Sequence, residues 1–550
     1  MGCCKWGDKI IPLKMRIKFS AICFQLLLYS ALLSGQNKDD SFTKGLNSIN
    51  QSVLKAQLSF LASDWTEGRQ TGEKGEYLSA DYIASLLQLC GVKPGGDYYR
   101  PSGLPKSTGS TERTYFQNFI LLKTIPGEEQ ILKIRSVEGS TEKTSELTYN
   151  VDYIHRQFNR GVEIEAPVVF IGYGFKNEKL NYNDFNSVDI KGKFVLKITG
   201  IPGFAREKLS PSELSTSTRE MESIVRNMGA VGIIEFNPNA TTVGSPQRQD
   251  FMNLSPSEGN PRTGKPSAAF SIPGKINPDN LIRITASVKT ANELLKGTGI
   301  VLDDYINITG SGLPGILPSL TGKTIYFKSS IITTSVLVRN VIGIIEGNNP
   351  DQIIVLGAHY DHMGAGNGFI WNGADDNASG TVGVLTVARA IMATGKKPEK
   401  TIIIALWAAE EEGLLGSQYY VRNLTYPLKN LRLYVNHDMI SRYISEDKHD
   451  GVVMTYTKSY PQFKNITEDN LKKYGINLVV DYQASDKPAG SSDERSFIEA
   501  GVPVMRFKPG HREEYHTPED EIFTVDWDIM EKIVKISFSN VWTLVNSPDW

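Results

Sequence analysis

Residues 352–362 read QIIVLGAHYDH, an apolar run that stops abruptly at His359-Tyr360-Asp361-His362. The pattern recurs twice: 401–412, TIIIALWAAEEE, runs into Glu410-Glu411-Glu412, and 431–439, LRLYVNHDM, runs into His437-Asp438. Short continuous apolar runs bounded by polar residues suit strands buried on both faces. Two further runs, 341–346 (VIGIIE) and 502–507 (VPVMRF), share the texture, and a helical pattern fills 379–394. Strands alternating with helices predict an α/β fold with a mostly parallel central sheet flanked by helices. In such open sheets ligands gather at the carboxyl ends of the strands, where these histidines and acids stand.

Two polar segments extend the set. Asn372-Gly373-Ala374-Asp375-Asp376-Asn377-Ala378-Ser379-Gly380 is expected to turn into the helix that starts near Ser379, and Glu514-Tyr515-His516-Thr517 lies in a polar loop near the end. Six of the seven histidines fall in the last 200 residues. Imidazole and carboxylate without thiolate suit catalytic zinc that keeps an open coordination position. A pair of ions requires a carboxylate between them and further ligands on each. Taken singly the motifs are weak, since adjacent acids at a strand end are usually solvated and Asp375-Asp376 would serve equally as a helix cap. Their combination is specific.

The segments GAHYDH, GADDNASG, AAEEEGLLGS, NHDMI and YHT occur in this order. Together they resemble the co-catalytic di-zinc aminopeptidases, of the larger group that includes glutamate carboxypeptidase and the transferrin receptor. Residues 60–72, FLASDWTEGRQTG, are similar to that family's amino-terminal segment. The resemblance implies two Zn²⁺ per chain held by His359, Asp376, Glu411, Asp438 and His516, with Asp376 as the bridge. It implies Asp361 orienting the ring of His359, Glu410 as general base, and Tyr515 donating to the developing oxyanion. Adjacent Glu410 and Glu411 can differ in role because successive side chains leave an extended segment in opposite directions. His362, His437 and His511 are expected to be supporting or structural. The chain departs from its relatives at Ser492-Asp493-Glu494, where they often read Ser-Asp-His. The substrates implied are peptides with free amino termini.

Outward from this region the texture changes. The runs APVVFIGYGF, KGKFVLKI and AVGIIEF, followed by a Ser/Pro/Gly/Asn-rich stretch over 237–266, predict a separate β-rich unit. By resemblance this is an inserted protease-associated domain over 151–300, between an amino-terminal part (36–150) and the di-zinc peptidase part (301–550). It is expected to cover the mouth of the site and supply no metal ligand. Residues 73–90 place Leu78, Tyr82, Leu86 and Cys90 four apart with Ile83 and Leu87 beside them, an amphipathic helix. Residues 100–115 read as a loop.

The first 35 residues carry Lys5, Lys9, Lys14, Arg16 and Lys18 ahead of an apolar run, Phe19–Leu33, and then Ser34-Gly35-Gln36. This predicts a secretory signal peptide, with export to the periplasm or exterior and no stable membrane span after cleavage; a retained anchor is the alternative. Three of the four cysteines lie in that leader, leaving Cys90, which is expected in the core. A net charge of −2 with 22% charged residues disfavours nucleic acid as a partner.

Three other readings of the same residues remain. A carboxypeptidase of the glutamate carboxypeptidase type would grip a terminal carboxylate, with Arg495, Arg506, Lys508 and Arg512 available. A glutaminyl cyclase would use one zinc. A receptor-like ectodomain would be expected to lose metal ligands, all five of which stand here.

Overall fold

The computed structural model describes residues 40–548 except 100–111, 139, 156–159, 187, 241–242, 244–267, 275–280, 313–316, 318–319, 321, 367, 446, 487–489, 509 and 511–512. The leader, most of the Ser/Pro/Gly/Asn-rich stretch, His511 and Arg512 lie outside the described residues. Among those described, no helix is long and apolar enough to cross a membrane.

The expected α/β architecture is present. Its sheet runs, in spatial order, Val479–Ser485, Gly451–Thr457, Val504–Lys508, Leu431–His437, Asn349–His359, Lys400–Trp407 and Lys323–Ile345. The central strands Lys400–Trp407, Asn349–His359, Leu431–His437 and Val504–Lys508 are mutually parallel, so their carboxyl ends converge on one rim. Lys400–Trp407 is buried along its whole length, which is why it reads as a continuous apolar run rather than an alternating one. Its two faces nevertheless sort by parity. Ile402, Ile404 and Leu406 join Ile354, Leu356, Leu433 and Val435 in a core beneath the helices Gly380–Ala393 and Trp527–Asn546. Ile403, Ala405 and Trp407 turn to the other side, into a cluster with Tyr420, Tyr434 and Phe497, where Tyr434 and Phe497 stack at 3.8 Å between ring centroids.

The helix expected over 73–90 spans Lys74–Leu89. Its buried face is Glu76, Ser79, Ala80, Ile83, Ala84 and Leu87, rotated from the Leu78/Tyr82/Leu86/Cys90 stripe toward the Ile83/Leu87 pair. The small residues let it sit close to the sheet, leaving the larger ones on the flank; Cys90 is only half-buried.

A long ribbon was not foreseen. Phe116–Glu138 and Lys323–Ile345 pair antiparallel from Phe116↔Val341 to Ser136↔Lys323, with one register shift between Ser329 and Ile331. At its far end the strand Val162–Phe170 pairs with Lys323–Ile345. It leads into a parallel series, Phe194–Ile198, Gly232–Phe236 and Ile282–Ala286, closed by antiparallel Tyr153–His155. This part has its own apolar core, which runs from Leu132 to Phe327 and so takes in residues on both sides of 151–300.

Candidate metal centre

The strand Asn349–His359 carries His359 to the rim, where the imidazole is buried. Its Nε2 faces three carboxylate oxygens: Asp376 Oδ1 at 3.4 Å, Asp438 Oδ1 at 3.7 Å and Glu410 Oε2 at 3.9 Å. Asp376 then turns its other oxygen to a second imidazole, with Oδ2 3.0 Å from His516 Nε2. His516 Nε2 also lies 3.2 Å from Glu411 Oε2. Asp376 thus stands between two groups, His359/Asp438 on one side and His516/Glu411 on the other. All five residues that the resemblance implied as ligands meet here, and Glu410 reaches the first group.

Among the described residues, two groups of side chains have ligand atoms close enough to share an ion: His359, Asp376 and Asp438, and His362, Asp376 and Glu411. His362 donates or accepts at Nδ1 with Glu411 Oε1 at 2.8 Å, while its buried Nε2 has no hydrogen-bond partner. His516 converges on both Asp376 and Glu411, which makes it the better fit to a second ion, with His362 fixing Glu411 from behind. The donor set fits zinc: imidazoles and ionisable carboxylates converge without thiolate, with the two oxygens of buried Asp376 turned to His359 and His516. Burial opposes its charge, yet hydrogen bonds from His359 and His516 hold the Asp376 carboxyl well below the usual range. Burial, followed by the nearby acids Asp493, Glu411 and Asp438 working against His359, holds the Glu410 carboxyl well above it.

The supporting contacts come from distant parts of the sequence. Asp361 Oδ1 accepts from the Glu410 amide at 3.0 Å and Oδ2 from the Glu411 amide at 3.2 Å, with Thr71 Oγ1 also donating to Oδ2 at 3.2 Å. Its carboxylate is 3.7 Å from His359 Nδ1, which lies nearer, at 3.3 Å, to the Asp361 carbonyl oxygen. The Asp361 carboxylate therefore fixes the backbone of the acidic pair, while the atom of Asp361 nearest the ring is its carbonyl oxygen. Asp520 accepts from the amides of Asp375 and Asp376, both at 2.9 Å, and so anchors the turn that presents Asp376. Asp375 turns its Oδ1 to Ser441, accepting from N and Oγ at 3.0 and 2.6 Å, and its Oδ2 toward Arg442 Nε at 3.9 Å. Arg69, fully buried, donates to the carbonyls of Leu61, Tyr360, Asn372 and Gly373 and ties 60–72 to the rim. Tyr515 is the most open member, 39% exposed, with its ring stacked on His516 at 3.8 Å. His437 is structural, its Nε2 bonded to Ser537 Oγ at 2.7 Å beneath the sheet.

Arg506, Asp520 and Arg69 were not singled out as site residues, although Arg506 was among the cations available to a terminal carboxylate. It has no such freedom. Arg506 donates to Asp438 Oδ2 and to Glu494 Oε1, each at 2.7 Å. The signal was present in VPVMRF: a charge inside a strand buried on both faces must find a partner.

Residues 340–541 match peptidase family M28. Aminopeptidase Y of Saccharomyces cerevisiae is 29% identical over 238 residues, which are 41% of this chain and 42% of that one. The chain thus spans less than half the length of that relative. Among solved structures, an aminopeptidase from Aneurinibacillus sp. strain AM-1 superposes with a TM-score of 0.55 at 18% identity, covering 92% of this chain and 98% of the other. A zinc aminopeptidase from Bacillus subtilis gives 0.50 at 20% identity, covering 91% and 96%. At these identities the likeness is one of fold.

Proposed function

We propose, from the match of residues 340–541 to peptidase family M28 and from the geometry of the site, that the protein is an exported zinc exopeptidase that removes amino-terminal residues from peptides. The reading rests above all on Asp376, whose two oxygens lie 3.4 Å from His359 Nε2 and 3.0 Å from His516 Nε2, between Asp438 and Glu411. Two Zn²⁺ would be held there by His359, Asp376 and Asp438 and by Asp376, Glu411 and His516. The chemistry such a pair supplies is Lewis-acid polarisation of the scissile carbonyl and a water acidified from pKa 15.7 toward ~7.

The protein's own residues do the rest. Glu410, held above the usual carboxylate range, takes the proton of the attacking water and returns it to the leaving amine. General acid–base help of this kind is worth ~10²–10⁴-fold. Asp361 keeps Glu410 and Glu411 in place through their amides. Tyr515, at the open edge, donates from its hydroxyl to the carbonyl oxygen as negative charge develops there. The many carboxylates around the site attract the substrate's ammonium group, while Arg506, engaged with Asp438 and Glu494, does not serve a terminal carboxylate. This favours an aminopeptidase over a carboxypeptidase. Export by the leader and a covering role for the body built on 132–327 complete the proposal.

The test is a panel of short peptides with and without chelator. Cleavage that is abolished by acetylating the amino terminus and indifferent to amidating the carboxyl terminus is the expected result; the reverse pattern would assign the protein to the carboxypeptidases.

A further inference from the structure

The structure gives Glu494 a definite task. Its Oε2 accepts from Asn436 Nδ2 at 2.8 Å and its Oε1 accepts from Arg506 Nη1 at 2.7 Å. The same guanidinium donates from Nη1 to Ser491 Oγ at 3.0 Å and from Nη2 to Asp438 Oδ2 at 2.7 Å. Asp438, Glu494 and Arg506 are 6%, 4% and 4% exposed. Arg506 comes from the strand Val504–Lys508, where it lies opposite Asn436 in the parallel register with Leu431–His437, so its side chain reaches the residue just past that strand's end. A continuous buried chain results: Asn436, Glu494, Arg506, Asp438.

The geometry divides the two oxygens of Asp438. Oδ2 is taken by Arg506, and Oδ1 alone faces His359 Nε2, at 3.7 Å. The carboxylates of Asp376 and Glu410 converge on the same imidazole, so the contact with Arg506 decides which oxygen of Asp438 is left to face it. Glu411 and His516 lie on the other side of Asp376, where His516 approaches Asp376 and Glu411 and Glu411 is held by His362.

We propose that Arg506, braced by Glu494, is a positioning residue that fixes Asp438 as a one-oxygen ligand, so that metal held by His359, Asp376 and Asp438 depends on this buried ion pair and metal held by Asp376, Glu411 and His516 does not. The proposal rests on the two-metal reading above. Partners that orient a metal ligand typically contribute about 10–100-fold to metal affinity, which sets the size of the effect.

The experiment is equilibrium dialysis of the full chain against buffered free Zn²⁺, with bound metal counted by elemental analysis. The wild type is expected to take up two ions. In Arg506→Met one ion should keep its half-saturation point while the other moves to about 10–100-fold higher free zinc. Arg506→Lys should recover part of the loss, because it restores the cation without the two-ended grip. Two unchanged ions in Arg506→Met, or equal weakening of both, overturn the proposal. If that variant fails to fold, Glu494→Gln carries the test: it leaves Arg506 paired with Asp438 but unbraced, and a smaller shift confined to the same ion is expected. No shift there overturns the proposal as well. A wild type that takes up fewer than two ions instead sinks the two-metal reading, and this proposal with it.

Discussion

Replacing Glu410 by glutamine and, separately, Glu411 by glutamine separates two roles that sit on adjacent residues. Glu410 Oε2 approaches His359 Nε2 only to 3.9 Å, the longest of the three acid contacts on that nitrogen. Glu411 lies 2.8 Å from His362 Nδ1 through one oxygen and 3.2 Å from His516 Nε2 through the other. Both amides are held by Asp361, and glutamine keeps each side chain's length, so neither change should disturb the backbone. Removing the base should cost ~10²–10⁴-fold in turnover, or about 3–5 kcal/mol of barrier. Removing a ligand charge is a different loss: one unit charge at ~4 Å, with an effective dielectric of ~20, is worth about 4 kcal/mol, or roughly 10³-fold in metal affinity. Glu410→Gln should therefore bind metal normally and turn over poorly, whereas Glu411→Gln should lose metal at free zinc concentrations that saturate the wild type. Elemental analysis after dialysis, paired with turnover of an unblocked dipeptide, measures both. If Glu410→Gln is the variant that loses metal, the division of the pair is wrong.

Asp361→Ala removes the acceptor of both the Glu410 and Glu411 amides. It should cost about 1–3 kcal/mol of stability for each amide left buried and unpaired and lower activity about 10–100-fold, read by urea unfolding and steady-state kinetics. Tyr515→Phe should lower kcat by about 10²–10³-fold with zinc content unchanged if its hydroxyl supports the oxyanion; an unaltered kcat refutes that role. The last prediction concerns Asp184, whose carboxyl burial pushes up to about 6 despite amide bonds from Phe175 and Tyr173. Since the unfolded chain then releases its proton first, near pH ~3.9, the native state binds more protons between the two values, and stability should fall as pH rises from about 4 to about 6. The loss is about 3 kcal/mol at most, and Asp184→Asn should abolish that slope in unfolding experiments run across the range.

The ligand-bearing ends of the strands were legible because both faces of Asn349–His359 and Lys400–Trp407 are buried, so the apolar runs end visibly where the chemistry begins. Asp376 was separable from Asp375 only through resemblance; in the structure the difference is that Asp375 is spent on Ser441. The strand Val479–Ser485 gave no signal, being largely exposed at the edge of the sheet, and neither did Phe116–Glu138, whose lysines and glutamates interrupt its apolar residues. Asp520 and Arg69 were hidden for another reason. They act on backbone groups about 145 and 300 residues away, a relation that sequence spacing does not express.

The ribbon has a consequence for how such a chain can change over time. Ser136 and Lys323 face each other across it, so everything between them leaves and returns at one point, as a hairpin's turn does. The entropy of closing such a loop grows only with the logarithm of its length: ~190 residues cost about 3 kcal/mol more than a four-residue turn. The intervening body is not wholly separate from the sheet that carries His359 and Glu410, since Ala269–Ser271 pairs with Leu122–Thr124 and Phe270 packs into the same core as Ile354 and Ile404. An exchange of the body that kept this strand would leave Asn349–His359 paired with Lys400–Trp407 and Leu431–His437, and with that pairing the spacing of the acids and imidazoles.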